Sequence, residues 1–232
     1  FLASSDESKF LPFVVVTLIT IILTTFVILV NEAARRIPIT YGGRSAKGKS
    51  EQSFLPLRIN QAGMIPIIFA VALISFPAIL GQFFVNATSE WLQSVGNSMV
   101  TWFQPNSVYY MLAYYVLTVA FTYFYVSITF DPEQVAENIQ KRGGYIPGIR
   151  PGKQTSEYLE KVSGRLTLFG SNFLAFIAIT PILIQFAFSN SGVGSVPLLI
   201  SGAGIIIIVG VVLELIRQVN AQMVMHDYKK FY

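Results

Sequence analysis

Residues 108–130 read VYYMLAYYVLTVAFTYFYVSITF, and no Asp, Glu, Lys or Arg occurs among them. At 1.5 Å per residue a helix of that length covers roughly 35 Å, more than the ~30 Å of a bilayer's hydrocarbon core. Outward from this stretch the pattern repeats. The charge-free run already begins at Trp91, and 10–31, 59–89 and 166–213 are three more runs without a charged side chain. Charged residues make up 12% of the 232-residue chain, about half the roughly 25% of an ordinary globular domain. Apolar residues reach 53% and the mean hydropathy is +0.58. A soluble monomer with so few charges would expose large apolar patches. The sequence reads as an all-α integral membrane protein.

Five spans are expected, at about 10–30, 62–85, 108–130, 166–188 and 196–219. The last two come from the single run 166–213, which is too long for one span and is divided by Ser189-Asn190-Ser191-Gly192-Val193-Gly194-Ser195. Between spans the bases are unevenly placed. Segments 31–58 and 131–165 carry six Lys/Arg each, whereas 86–107 and 189–195 carry none. The positive-inside rule therefore puts both basic loops and the C-terminus in the cytoplasm and the start of the chain outside. That start, Phe1, is not a methionine, and its flank lacks the basic n-region of a signal peptide. The chain reads as cut or processed, and five spans match one half of a channel or transporter built from inverted repeats. A C-terminal half is expected.

Several chemistries are excluded at once. With no cysteine there is no disulfide, thiolate metal site or cysteine nucleophile. With His226 as the one histidine, a metal site would need carboxylates, and the spans hold almost none. No catalytic residue, metal or cofactor is expected, and no direct DNA binding, since bases here report orientation first. Glu214 and Arg217 stand three residues apart near the end of the fifth span and read as an interfacial ion pair. Gly43-Arg44-Ser45-Ala46-Lys47-Gly48-Lys49-Ser50 matches the phosphate-binding loop pattern, but that chemistry needs a helix directly after the loop and a carboxylate-bearing strand for magnesium. The following Glu51–Leu57 reads as extended and proline-broken, so the match is taken as coincidence. A basic hairpin tip between two extended arms, 36–41 and 54–58, is expected instead.

Helix breakers are better placed than charges. Pro66 and Pro77 interrupt the second span, Pro181 the fourth, and Gly202, Gly204 and Gly210 mark the fifth. In the second cytoplasmic segment Asp131 caps a helix with Pro132 at its first position. Gly143-Gly144 ends it, a rigid loop projects Arg150 between two Pro-Gly pairs, and Thr155 starts the helix leading into the fourth span. Segment 90–104 reads as a short amphipathic piece on the outer face, beside the belt aromatics Trp91, Trp102, Tyr109 and Tyr110 and the weak sequon Asn86-Ala87-Thr88.

Three longer stretches carry a resemblance. They are Ala34-Arg35-Arg36-Ile37-Pro38-Ile39, then Leu57-Arg58-Ile59-Asn60-Gln61-Ala62-Gly63-Met64-Ile65-Pro66-Ile67-Ile68-Phe69-Ala70, and Gly143-Gly144-Tyr145-Ile146-Pro147-Gly148-Ile149-Arg150-Pro151-Gly152-Lys153-Gln154-Thr155. In order and placement the chain resembles the C-terminal half of the SecY family, channel subunits of the Sec protein translocon, with the five spans similar to family helices six to ten. The resemblance implies a passive protein-conducting channel in the cell inner (plasma) membrane, for export of unfolded polypeptides and membrane insertion of helices. Ile68 and Ile207 resemble members of a mid-membrane aliphatic ring, and apolar constrictions gate by dewetting. The second and third spans resemble lateral-gate helices. Arg35 and Arg36 resemble the base of a ribosome-facing loop, and Arg150, with Lys153 beside it, a position that meets the SecA motor. Implied partners are the N-terminal half of SecY, SecE, SecG, SecA, the ribosome, a translocating polypeptide or signal sequence, and lipid. The runner-up is half of a secondary transporter for a small solute, disfavoured by the lack of intramembrane charge.

Overall fold

In the computed structural model the described residues are 7–41, 51–105 and 107–190, with part of the stretch 204–223. The elements in chain order are α1 (Glu7–Glu32), β1 (Ala34–Tyr41), β2 (Glu51–Arg58), α2 (Ile65–Val85), α3 (Glu90–Trp102), α4 (Val108–Thr129), α5 (Pro132–Lys141), β3 (Gly144–Tyr145) and α6 (Lys153–Asn190). Described residues of 204–223 are also helical. Among the described residues, Ile65–Val85, Val108–Lys141 and Lys153–Ile184 are long and apolar enough to cross a membrane, and Thr17–Glu32 is a shorter apolar helix. The hairpin-tip match Gly43–Ser50, the pair Glu214 and Arg217, the divider 191–195, Gly202 and His226 lie outside the described residues.

Hydroxyls inside the apolar helices are satisfied by their own backbone. Thr24 donates to the Thr20 carbonyl (2.8 Å), Ser75 to Val71 (2.7 Å), Thr122 to Thr118 (2.7 Å) and Thr180 to Phe176 (2.8 Å). Hydrocarbon offers these groups no water, so the i−4 carbonyl is their natural acceptor.

The chain divides into two compact units, one from Phe1–Leu29, Val71–Tyr115 and Phe176–Tyr232, the other from Val30–Ala70 and Val116–Ala175. In the first unit α3 closes on the end of α2. A β-carbon on Gly96 would lie 2.7 Å from the Val85 nitrogen, and one on Gly81 3.0 Å from the Gly96 carbonyl oxygen. Two glycines let the backbones touch. Beyond α3, the rings of Trp102 and Tyr109 lie 5.9 Å apart. Thus the expected amphipathic piece 90–104 is a helix over Glu90–Trp102.

The second unit carries a feature that an all-α reading leaves out: a three-stranded sheet in the order β2-β1-β3. β1 and β2 pair antiparallel from Ala34↔Arg58 to Tyr41↔Glu51, and β1 also pairs with β3 at Thr40↔Tyr145 and Tyr41↔Gly144. Pro38 and Pro56 occupy register pairs of the same parity, Pro38↔Phe54 and Arg36↔Pro56. Both therefore fit non-hydrogen-bonded pairs, where a missing N–H costs the ladder nothing. Alternation along β1 turns Ile37 and Ile39 inward, and they join Leu57, Ala136, Ile139, Ile146, Leu159 and Val162 in one core. Two segments whose nearest core residues, Leu57 and Ala136, are 79 positions apart in sequence thus share a hydrophobic interior built from β1, β2, α5 and α6.

Candidate functional site

The basic side chains stand on that small core. Arg35, Arg36 and Arg58 are exposed on the hairpin, and Arg142, Arg150 and Lys153 on the segment packed beneath it. None of the six forms an ion pair with another described residue; the ion pair seen nearby is Lys141 with Glu137 at 2.8 Å. The surface therefore offers several unneutralised cations on one folded block, suited to anionic or carboxylate-bearing partners.

Arg150 is held by local chemistry at every step. The Asp131 carboxylate accepts from the Glu133 and Gln134 backbone N–H groups (2.9 and 3.1 Å), with Pro132 at the first position of α5. The helix stops at Gly143, whose φ of 68° suits glycine and whose N–H donates to the Gln140 carbonyl (2.9 Å). Ile146 enters the core, and a turn follows in which the Ile149 N–H donates to the Ile146 carbonyl (3.0 Å) across Pro147 and Gly148. Gly148 has φ 83°, as the third residue of a Pro-Gly turn requires. Past Pro151-Gly152 the buried Thr155 hydroxyl donates to the Arg150 carbonyl (2.9 Å). The backbone of Arg150 is thereby fixed while its side chain stays in solvent, as the two Pro-Gly pairs lead one to expect.

A second device sets the start of α2. After β2 the Ile59 N–H donates to the Ala33 carbonyl (3.0 Å). Asn60, only 7% exposed, accepts through its side-chain oxygen from the Gly63 N–H (3.0 Å) and donates to the Asn31 side-chain oxygen (2.7 Å). Gly63 turns the chain at φ 65°. The elbow rests on α6: Ser163 donates to the Gln61 side-chain oxygen (3.1 Å), and Gly170 lies against the Ile59 carbonyl. Asn60, Ser163 and Gly170 have no expected role in the sequence reading. Asn60 stands inside a recognised motif, but the contribution of Gly170 depends on a contact more than 100 residues away in sequence.

From this elbow α2 emerges with Ile67 fully buried and the adjacent Ile68 46% exposed. Phe69 is exposed as well and stacks on Phe121 with centroids 5.9 Å apart. Ile207 lies in the other unit, helical and partly exposed. The three prolines differ in where they stand along their helices. Pro66 is the second residue of α2, where an absent N–H is no loss, so it opens the helix and does not interrupt it. Pro77 and Pro181 lie inside α2 and α6, which continue through them. The nucleotide-binding reading of Gly43–Ser50 is excluded next door: strand β2 begins at Glu51, where that chemistry needs a helix.

Comparison with known proteins agrees with this architecture. A family model described as SecY matches residues 2–216. The chain is 41% identical over 213 residues to the protein translocase subunit SecY of a Staphylococcus epidermidis strain, covering 91% of this chain and 47% of that protein. It is 40% identical over 226 residues to the Streptomyces griseus subunit of the same description, covering 95% and 50%. It spans about half the length of the curated relatives it matches. Two solved structures share the fold at 20% identity over 88% of this chain. One concerns the SecY plug domain and the closed state of the translocation channel (TM-score 0.59, 49% of that chain covered) and the other is described as a protein-conducting channel (TM-score 0.58, 48% covered).

Proposed function

We infer the function from one premise: the chain belongs to the SecY family. It is a membrane protein and forms the C-terminal half of a passive protein-conducting channel, with five spans, the first of which starts outside the inner (plasma) membrane. Ile68 and Ile207 contribute to an aliphatic seal that dewets when empty and yields to a passing polypeptide. Helices α2 and α4 line a lateral gate toward the N-terminal half of SecY. SecE and SecG complete the membrane complex, and SecA or the ribosome supplies the driving force through Arg35, Arg36, Arg150 and Lys153. The chain itself does no chemistry.

The observation that best supports this reading is the pair at the head of α2. Ile67 is buried within this chain, whereas nearly half of the equally apolar Ile68 stays uncovered by it. An aliphatic side chain left open beside a braced elbow suits a constriction completed from elsewhere. The test is reconstitution of the full-length protein with its partner subunits in vesicles. Energy-dependent protection of an unfolded secretory precursor from added protease is expected. Uptake of small solutes without precursor protection would instead select the transporter reading.

A further inference from the structure

Helix α3 joins the end of α2 to the start of α4, and both of those helices are long and apolar enough to cross a membrane. It therefore stands at one face of the bilayer. The glycine contact gives its level. Gly81 lies about 6 Å inside the end of α2, at 1.5 Å per residue, and Gly96 meets α2 there and at Phe84 and Val85. A helix that crosses α2 at its final turn is sunk into the edge of the span and not held off in water.

At about 100° of rotation per residue α3 has three distinct sides. One carries Gly96, Met99 and Val100 and rests on Gly81. On a second stand Trp91 and Trp102, 71% and 57% exposed and the two tryptophans of the chain. They differ by only about 20° around the axis and by roughly 16 Å along it, so they form a line parallel to the helix. Beside that line the Ser98 hydroxyl donates to the Ser94 carbonyl (2.9 Å), as hydroxyls within the spans do, and needs nothing from water. The third side, about 140° from the tryptophans, exposes Glu90, Gln93 and Asn97, whose carboxylate and amides suit water.

Two further features select lipid as the neighbour of the tryptophan side. Trp102 meets the exposed Tyr109 in the first turn of α4, so the aromatic line runs on to the second span. Segment 90–104 holds one acid, Glu90, and no base, so no attraction to anionic headgroups is at work. An indole, with an apolar body and one N–H, partitions by itself into the boundary between headgroups and acyl chains.

We propose that α3 is a depth anchor for α2. Its Trp91–Trp102 line lies in the headgroup–acyl boundary, its Gln93–Asn97 side faces water, and the Gly81–Gly96 contact passes the fixed level to the span. The line requires α3 to lie flat, with both indoles at one depth; a helix standing upright would separate them by roughly 16 Å.

The test uses the full-length protein with its partner subunits in phosphatidylcholine vesicles, any cysteine outside this chain being replaced; this chain has none. Spin labels are attached to the adjacent variants Asn97→Cys and Ser98→Cys. The label at position 98 should collide with lipid-dissolved oxygen more than with a water-soluble nickel chelate, and the label at position 97 the reverse. Nickel access at both positions would put α3 in water and overturns the proposal. So does a label at position 98 shielded from both reagents, since a protein partner would then cover the tryptophan side. Anchoring is read from a label on Ile79→Cys, at an exposed position of α2. When longer acyl chains thicken the bilayer, its depth below the membrane surface at α3 should stay constant with both tryptophans present and increase in Trp91→Gln/Trp102→Gln. Trp91→Tyr/Trp102→Tyr, which keeps amphipathic rings, should hold the depth constant. The same response to thickness with tryptophan and with glutamine overturns the anchor.

Discussion

Gly170 and Ile59 are in backbone contact: a β-carbon at Gly170 would stand 2.5 Å from the Ile59 carbonyl oxygen. Helix α6 meets the link between β2 and α2 so closely that only a residue without a side chain fits. Gly170→Ala must push the elbow away, at a cost of about 1–3 kcal/mol for such overpacking. A lower midpoint of heat unfolding in detergent is the expected result. Gly164→Ala is its control on the same helix; with nothing to meet, it should gain about 1 kcal/mol from helix propensity.

Asn60 ties the same elbow from within. Asn60→Ala removes the acceptor for the Gly63 N–H and the donor to Asn31 at a site almost closed to water. A loss of about 1–3 kcal/mol follows, the usual cost of stranding buried polar groups. Asn60→Asp keeps the acceptor and loses the donor, so its midpoint should fall between the other two.

For the seal, Ile68→Asn places a polar amide where an exposed aliphatic stands. In the proposed seal, water would then wet the constriction more readily. Reconstituted into a planar bilayer, the full-length variant should pass ions at rest more readily than the parent, whereas Ile67→Val, a change at the buried neighbour, should not. Equal resting conductance of Ile68→Asn and parent would remove Ile68 from the seal.

Arg150 offers a test of docking in which the fold is kept. Reversal of its exposed charge in Arg150→Glu should block SecA-driven export and leave unfolding unchanged. Thr155→Val goes further into the cause: it removes the hydroxyl that holds the Arg150 carbonyl but no charge. Export should fall by less than in Arg150→Glu, and Thr155→Ser should restore it.

The capping of α5 can be checked separately. Asp131→Ala strips two N–H groups of their acceptor and should cost about 1 kcal/mol. Asp131→Asn, another good cap, should recover most of it.

Local chemistry was the part that could be read ahead of the structure. An uncharged run specifies a helix such as α4 without reference to any other residue, and Asp131, Gly143 and the Pro-Gly turns act within four residues of themselves. The two arms of the hairpin likewise emerge where alternation and proline place them, as β1 and β2. Long-range relations were not legible. β3 is two residues long, too short for any periodic signal, and its role is to bring Tyr41 and Gly144 together across 100 residues of chain. Without that pairing the two basic segments read as independent loops. Pro66 misleads for a related reason: a proline in an apolar run looks like a break unless the helix start is known, and the start is set by Asn60 and Gly63. Ile68 was singled out by family resemblance alone, since its pattern in sequence does not differ from that of Ile67.

The short sheet has a mechanical consequence. Because β1 is sewn to β2 on one side and β3 on the other, with α5 and α6 beneath, the two basic segments behave as one handle and not two tethers. A load applied at the loop of Arg150 is passed to the hairpin as well. Next along the chain from the hairpin stands the elbow at Asn60, from which α2 departs, so that load reaches the start of α2 first.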